Sequence, residues 1–291
     1  MKKAVILFSI GLVLLVGLAV LASSVLAAKP SLVQASVVPS KNNIYVVIPE
    51  NVVEVAPGVF SLGTAIDSDG SVVEGYAIVH YKNRNAKPPW AGGGGGSTCY
   101  GFLASGAKWK NVEPYIVDAA NTEGLNESFV KSNIASDINT WEDAADGVVD
   151  SAVTKNILGD ENLSGLVDGA DTSSPDGKNE VYFGSISESG AIAVTIVWGY
   201  FSGPPSTRRL VEWDQVYDQV DFEWTENALL EPSKMDFWNI AIHELGHSFG
   251  MNDLYNSECS EETMYGYGTE GETKKRDLNS GDIVGIKKLY A

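Results

Sequence analysis

The stretch that decides the fold is Ile242–Asp253, which reads IHELGHSFGMND. It contains His243, Glu244 and His247 in the spacing H-E-x-x-H. Residues four apart on a helix leave the same face one turn apart, so the two imidazoles can bind one metal ion. Glu244 is offset by about 100° of helix rotation, which places it beside the ion, where it can hold a water molecule.

Two later residues extend this pattern. Gly250 suits a helix C-terminus, because a left-handed residue lets the chain turn back sharply. The returning chain can then bring Asp253 to the same ion as a third ligand. Two histidines and one carboxylate with an open fourth position describe a catalytic zinc site, since structural zinc sites are closed by four protein ligands.

A methionine downstream narrows the interpretation. Met264 lies in Glu262–Gly266, ETMYG, where a turn beneath the metal is expected in one group of zinc proteases. A methionine by itself more often fills a gap in a core. The sequence HELGHSFGMND followed by TMYG resembles the metzincin zinc peptidases, and most closely the matrixin-like branch. Asp253 stands where the usual pattern has its last histidine, which is similar to the snapalysin-type bacterial peptidases.

The resemblance implies a fold and a reaction. The implied fold is α/β, of the α+β zincin type, with a twisted mixed β-sheet, an active-site helix and a C-terminal helix after the Met-turn. The implied catalytic domain covers residues 99–291. The implied function is a secreted zinc-dependent endopeptidase in which Glu244 is the general base. In the matrixin pattern Gly190–Phe201 is an edge strand, along which an extended peptide or protein substrate would pair.

An alternative function is a secreted zinc-containing binding or adhesion protein without peptidase activity. The presence of Glu244 counts against it, because a structural zinc site does not need that carboxylate. The chain contains three histidines, so the second, all-structural zinc of matrixins cannot be built here. Calcium or a disulfide would then supply the rigidity that this zinc gives.

The N-terminus has the composition of a secretion signal. Lys2 and Lys3 precede an apolar run from Ala4 to about Val25, and a small-residue cleavage pattern ends at Ala27. We therefore expect residues 1–28 to be a signal peptide and the protein to be secreted or extracellular. The run is also long enough to span a bilayer, so an uncleaved cell-surface anchor is an alternative.

Residues 29–98 form a separate β-rich N-terminal region or pro-region. β-forming residues cluster in Asn43–Ile48, Val59–Ile66 and Val72–Tyr81, which predicts a hairpin or meander. His80 falls at the end of the last strand and is interpreted as an ordinary strand residue. Gly92–Gly96 cannot pack a core and predicts a flexible linker at the boundary. Whether this region is a removable propeptide or an integral lid is open from the sequence.

The net charge of −18 excludes nucleic acid as a partner, because a polyanion would be repelled. No cofactor other than metal ions is expected. Some of the surplus carboxylates could bind calcium, in the acidic loop Gly159–Asn179 or along a strand that contains Asp214, Asp218 and Asp221. The alternative for both groups is an ordinary solvated surface.

Two cysteines in an exported chain, Cys99 and Cys259, predict one disulfide. In matrixin propeptides a cysteine thiolate instead occupies the open position on the zinc, and Cys99 could do the same. The surrounding sequence Gly96–Tyr100 does not match that switch motif.

Helix boundaries follow from capping residues and apolar spacing. Asn126 predicts the start of a helix with one buried apolar stripe, and either Ser233 or Asp236 can cap the active-site helix. Asn279 opens a final helix. The predicted inward residues of the first stripe are Val130, Ile134, Ile138, Trp141 and Ala145.

Overall fold

The computed structural model describes residues 45–49, 52–82 and 98–291. All of them belong to one unit that spans Ser40–Ala291. The predicted signal peptide, residues 1–28, and the predicted linker, Gly92–Gly96, lie outside the described residues and stay predictions.

Strands outnumber helices in the described part of the chain. The strands are β1 (Tyr45–Val46), β2 (Val53–Ala56), β3 (Val59–Ile66), β4 (Val72–Lys82), β5 (Tyr115–Asp118), β6 (Asn179–Ile186), β7 (Ala191–Tyr200), β8 (Arg209–Asp218), β9 (Trp224–Thr225), β10 (Met235–Asp236) and β11 (Tyr267–Gly268). The α-helices are α1 (Glu127–Ala144), α2 (Phe237–Ser248) and α3 (Ser280–Tyr290). Short 3₁₀ helices occupy Pro205–Thr207, Ser257–Cys259 and Lys274–Arg276.

Nine of these strands form one mixed sheet with the order β1-β6-β8-β7-β4-β3-β2, to which β5 is added on β6 and β11 on β4. The pairs β5–β6, β6–β8 and β11–β4 are parallel, whereas β7 runs antiparallel to both β8 and β4. Strands β9 and β10 form a separate two-stranded sheet. The predicted α+β fold, a mixed β-sheet with few helices, is confirmed.

The central strand β7 separates two hydrophobic cores. Val194, Ile196 and Trp198 pack into the core on one face of the sheet, while Ala193 and Val197 pack into the core that contains the helices. Successive side chains of a strand point to opposite faces, so one continuous apolar strand serves both cores. The helix side is the face on which the predicted site lies.

The prediction that Gly190–Phe201 is an edge strand is wrong. Strand β4 pairs with β7 from Glu74 opposite Gly199 to Tyr81 opposite Ala191, and β8 pairs with its other side. The edge is covered because the β3–β4 hairpin is itself apolar on one face and packs into the same core as β7. This pairing joins residues more than a hundred positions apart, which local sequence patterns do not report.

The helix boundaries agree with the capping residues. The Asn126 side chain accepts hydrogen bonds from the backbone N–H groups of Ser128 and Phe129, and the five predicted stripe residues of α1 are all buried. Asp236, not Ser233, caps α2, because its carboxylate accepts a hydrogen bond from the N–H of Asn239 at 2.9 Å.

A disulfide joins Cys99 to Cys259, as predicted, and the described residues contain no free cysteine. Cys99 is therefore not available as a thiolate ligand, so the cysteine-switch alternative is wrong. Among the described residues, no helix has both the length and the apolar character that crossing a membrane requires.

Candidate active site

Helix α2 brings His243, Glu244 and His247 to one buried face beneath the sheet, and all three side chains are almost fully enclosed. The helix ends at Ser248, and Gly250 follows with a φ of +98°. A Cβ on Gly250 would lie 2.8 Å from the Ala107 carbonyl oxygen, so both backbone conformation and space require glycine there. The chain then turns back and carries Asp253 to the two histidines.

Three potential ligand atoms converge at this point. Asp253 Oδ1 lies 3.1 Å from His243 Nε2 and 3.5 Å from His247 Nε2. Each histidine donates its other ring proton to a backbone carbonyl, His243 Nδ1 to Thr263 at 2.6 Å and His247 Nδ1 to Met251 at 3.0 Å. These bonds fix the tautomers, because a neutral imidazole that donates from Nδ1 presents a lone pair at Nε2.

The donor set fits a zinc ion. His243 Nε2, His247 Nε2 and Asp253 Oδ1 are all buried and none has a hydrogen-bond partner. Three such atoms facing one another without a proton are unfavourable unless a cation lies among them. Tetrahedral zinc with bonds of about 2.0–2.1 Å sets neighbouring ligand atoms about 3.3 Å apart, which is the spacing of Asp253 to the two rings.

Electrostatics favour these protonation states at His243 and Asp253 but not at His247, because the Asp253 carboxylate outweighs burial and raises the pKa of His247. Burial lowers the pKa of His243 to about 4, so this ring is neutral at pH 7. Burial also opposes ionisation of Asp253, but the adjacent His247 and His243 rings hold its pKa well below the ordinary value. Two neutral imidazoles and one carboxylate are the protonation states in which these residues bind metal. Their roles as ligands stay a prediction, which this geometry supports.

Met264 lies under the helix, where the sequence pattern predicts the Met-turn. A Cβ on Gly246 would overlap the Met264 sulfur and lie 2.9 Å from the Trp141 ring, so helix and turn are in direct contact. The buried carboxylate of Asp282 accepts hydrogen bonds from the N–H groups of Thr263 at 2.7 Å and Met264 at 3.2 Å. Asp282 thereby positions the Thr263 carbonyl that orients His243, as outer-shell partners of metal ligands do.

Glu244 occupies the position expected of a base. Its Oε2 accepts a hydrogen bond from Thr195 Oγ1 at 2.6 Å, and its Oε1 lies 3.0 Å from His80 Nδ1. Burial raises the pKa of Glu244 to about 7, which is close to the ideal value for a base that takes and returns a proton near neutral pH.

His80, interpreted from the sequence as an ordinary strand residue, is part of this site. Its ring centre lies 4.0 Å from that of His243, and its Nε2 is 3.3 Å from the ammonium nitrogen of Lys275. Because a lysine only donates, His80 accepts at Nε2 and donates from Nδ1 to Glu244. Lys275 is also completely buried, and burial lowers its pKa to about 8.

Sequence reasoning missed three polar residues around Glu244, namely His80, Thr195 and Lys275. Thr195 carries a weak signal, since its neighbours on the same face of β7, Ala193 and Val197, are apolar, whereas His80 lies between Ile78 and the charged Lys82 on its face of β4. Lys275 lies in a polar segment with neighbouring Lys274 and Arg276, so nothing in the sequence distinguishes it.

The site is closed in this structure. Strand β4 lies between β7, to which it is antiparallel, and β11, to which it is parallel, and it carries His80 against Glu244. On the other side, the Tyr255 hydroxyl lies 3.0 Å from Asp253 Oδ2 and 2.9 Å from the Pro57 carbonyl in the β2–β3 turn. Strand β4 and the β2–β3 turn therefore cover α2 and Asp253.

Two comparisons show similarity between part of this chain and known proteins. The family model for matrixin matches residues 204–291, which include α2, Asp253 and Met264. Stromelysin-1 from the horse, Equus caballus, is 39% identical over 71 residues, 24% of this chain. The matched segment is only 13% of the length of that protein. The chain is thus similar to the matrixins in the segment that contains the predicted ligands and Glu244, and this similarity supports a zinc metallopeptidase.

Proposed function

We propose that the protein is a secreted zinc-dependent endopeptidase that hydrolyses peptide bonds in protein substrates. The observation that carries the proposal is the convergence of His243 Nε2, His247 Nε2 and Asp253 Oδ1, buried and unpartnered, next to a carboxylate that is not one of the three. A purely structural zinc site has no use for Glu244. The similarity to matrixins over residues 204–291 supports the same reaction class.

In the proposed reaction, His243, His247 and Asp253 would hold the zinc ion. Zinc bound there would polarise the scissile carbonyl and acidify the attacking water. Glu244 accepts the proton of that water and returns it to the departing amine. Burial raises the pKa of Glu244 in the metal-free site, which favours uptake of the proton by this carboxylate. Thr195 orients the carboxylate by donating to Oε2 at 2.6 Å.

We further propose that residues 29–98 are a pro-region whose β4 must leave before a substrate binds. Strand β4 occupies the side of β7 on which an extended peptide would pair, and main-chain pairing of this kind is the general mode of peptide recognition by sheets. His80 lies 3.0 Å from Glu244 Oε1, within the distance at which a water molecule would have to approach the base. The described conformation is then a latent form.

The first experiment is cleavage of an unstructured protein, casein, by the purified protein with and without a chelator. It includes the chain after removal of the residues before about Cys99, and Glu244→Ala as the matched variant. We expect cleavage that stops with chelator, returns with zinc and is absent in Glu244→Ala, while zinc binding by that variant is retained.

A reversible disulfide between β4 and β7, called the lock below, tests the role of β4 separately from the peptidase proposal. Val79 and Val194 are directly opposite each other on β4 and β7, and both side chains face the core on the other side of the sheet from Glu244. Opposite residues in antiparallel strands are about 4.5–5.5 Å apart, which a disulfide can span. We expect Val79→Cys with Val194→Cys to bind zinc but to lack activity until it is reduced.

Two controls make the lock interpretable. Val79→Cys alone should behave as the wild type, and the wild type treated with reductant accounts for any effect on the Cys99–Cys259 disulfide. An oxidised lock with full activity would show that β4 stays in place during catalysis, without affecting the peptidase proposal.

The burial of the site favours one alternative, a secreted zinc-containing binding protein. In that case the hairpin would never leave, and zinc would only stabilise the fold. Zinc binding by the wild type, together with no casein cleavage even after removal of residues before about Cys99, would support this alternative and overturn the peptidase.

A further inference from the structure

The His80 ring fills a buried space between α2 and β11. The ring is completely enclosed. A Cβ on Gly268 of β11 would lie 3.0 Å from His80 Nε2 and 3.1 Å from Ile240 Cδ1, so the absence of a side chain at residue 268 makes room for the ring. The same Cβ would lie 3.3 Å from Ile192 of β7. This space, bordered by Gly268, Ile240 and Ile192 and closed by Lys275, is called the His80 slot below.

The His80 slot adjoins the groups of the proposed reaction. The His80 ring centre lies 4.0 Å from that of His243, and His80 Nδ1 lies 3.0 Å from Glu244 Oε1. Strand β4 carries His80 between β7 and β11. Alternate side chains of any extended peptide in this place would point towards α2. A substrate that replaces β4 would therefore put one of its own side chains, close to the cleaved bond, into the slot.

The walls of the slot are apolar, but its end is a cation. The Lys275 ammonium donates to the Tyr267 carbonyl at 2.8 Å and to His80 Nε2 at 3.3 Å, while the Glu272 carboxylate lies 3.9 Å away, beyond hydrogen-bond distance. Burial lowers the pKa of Lys275 to about 8, so the ammonium is charged at pH 7. When β4 leaves, one N–H of this buried ammonium loses its acceptor, which is costly.

The position of Lys275 does not depend on the hairpin. Its backbone N–H donates to Asn239 Oδ1 at 2.8 Å, and its carbonyl accepts from Thr263 Oγ1 at 3.3 Å. Asn239 belongs to α2, and Thr263 directly precedes Met264. The backbone of Lys275 is thus held by the elements that carry the predicted ligands. A polar group fixed in an otherwise apolar pocket is the usual source of ligand specificity.

We propose that Lys275 is a specificity-determining residue, which selects substrates that place a glutamate side chain in the His80 slot. The inference rests on the proposed peptidase function. A glutamate reaches about as far from the backbone as a histidine, so its carboxylate would take the place of His80 Nε2 and accept a charge-assisted hydrogen bond from Lys275. A leucine would fill the apolar walls but leave the ammonium unpaired, and a site built to hydrogen-bond its ligand rejects such a side chain.

The chemistry of the slot is tested without any cleavage, because β4 places its own residue there. The midpoint of thermal unfolding is measured for the zinc-loaded full chain with His80→Glu or His80→Leu. We expect the higher midpoint for His80→Glu, and the reverse order when Lys275→Met is added to both. Lys274→Met, a partly exposed neighbour, is the matched control and should leave the order unchanged. Circular dichroism and zinc content establish that each variant folds.

Either of two results in this experiment would overturn the proposal. A higher midpoint for His80→Leu in the presence of Lys275 would mean that the slot selects apolar side chains. An order that Lys275→Met does not change would mean that this lysine does not act on the residue in the slot.

Substrate preference is measured on the zinc-loaded full chain, before and after release of β4 by limited proteolysis. Mass spectrometry of a casein digest should show glutamate enriched at one position beside the cleaved bond. For quenched peptides that differ only there, we expect kcat/KM to be about tenfold higher with glutamate than with leucine. Lys275→Met should reverse this preference, and Lys274→Met should keep it. Cleavage without a preference for glutamate would overturn this inference alone, whereas no cleavage of any substrate would overturn the peptidase and this inference with it.

Discussion

The segment 204–291 and the β3–β4 hairpin, Val59–Lys82, contribute to the same site in opposite ways. The first contains the three predicted ligands and Glu244 within eleven residues of one helix and its return turn. The second contributes one side chain, His80, across 164 residues of sequence. A helix brings residues four apart together by its own geometry, whereas a cross-strand contact exists only once the sheet has formed. The predicted ligands and Glu244 can therefore be recognised from the sequence, whereas the hairpin that covers them cannot.

The largest expected effect concerns the disulfide, whose Cys99 precedes the matrixin-like segment and whose Cys259 lies within it. The two cysteines are 160 residues apart, and closing a loop of that size restricts the unfolded chain by about 4–5 kcal/mol in the chain-entropy model. Replacing both cysteines by serine should lower the free energy of unfolding by a comparable amount, measured by urea denaturation of the zinc-loaded protein. A change below about 1 kcal/mol would show that the two parts are held together without this bond.

Zinc affinity should depend on the segment 204–291 and not on the β3–β4 hairpin. We expect His247→Ala to weaken zinc binding by more than about 100-fold, since loss of an outer-shell partner alone costs 10–100-fold. His80→Ala should keep one zinc per chain, because His80 Nδ1 hydrogen bonds to Glu244 and its Nε2 faces Lys275. The measurement is competition with a fluorescent zinc chelator. Equal losses of zinc affinity in both variants would show that the hairpin contributes to metal binding as much as α2 does.

Lys275 links the two regions, and its titration gives a pH-dependent effect. Burial lowers the pKa of Lys275 from 10.5 to about 8, so the unfolded chain binds more protons between these values. The free energy of unfolding should therefore rise with pH from about 8 to about 10.5. At about 1.4 kcal/mol per pKa unit, the rise is about 3 kcal/mol.

Lys275→Met should lack this rise, so the comparison is the wild type minus the variant in urea denaturation of metal-free protein at several pH values. The subtraction removes the titration of the other lysines and tyrosines, which both proteins share. A difference that stays constant from pH 7.5 to 10.5 would mean that Lys275 is not buried in the folded protein.

The smallest expected effect is that of two matched glycine substitutions, one in each region. A Cβ on Gly75 of β4 would lie 2.6 Å from the Trp198 ring, and a Cβ on Gly246 would overlap the Met264 sulfur. Each change to alanine should cost about 1–3 kcal/mol, the usual cost of overpacking. Only Gly246→Ala should also weaken zinc binding, because Met264 adjoins the Thr263 carbonyl that orients His243. Thermal unfolding and the chelator competition measure both, and weakened zinc binding in Gly75→Ala would contradict this assignment.

Whether a sequence prediction was correct depends on how far apart along the chain the interacting residues lie. The Asn126 cap, the buried stripe of α1 and the strand β7 depend on spacing within a few residues, and the structure confirms them. The edge position of β7 depended on the absence of a partner, and β4 provides one. The predicted ligand roles of His243, His247 and Asp253 await measurement, although the structure brings their side chains together.

The sequence by itself predicted the donor set and the base, which await measurement, and it predicted the mixed fold and the pairing of the two cysteines, which the structure confirms. The donor set and the base follow from residue type and from spacing along one helix and its return turn, and the disulfide follows because the chain contains only two cysteines. Only the tertiary structure decided that His80 and Lys275 reach Glu244 and that β4 covers β7. Each of these contacts brings together different secondary-structure elements, so it depends on how the whole sheet packs and not on any local pattern.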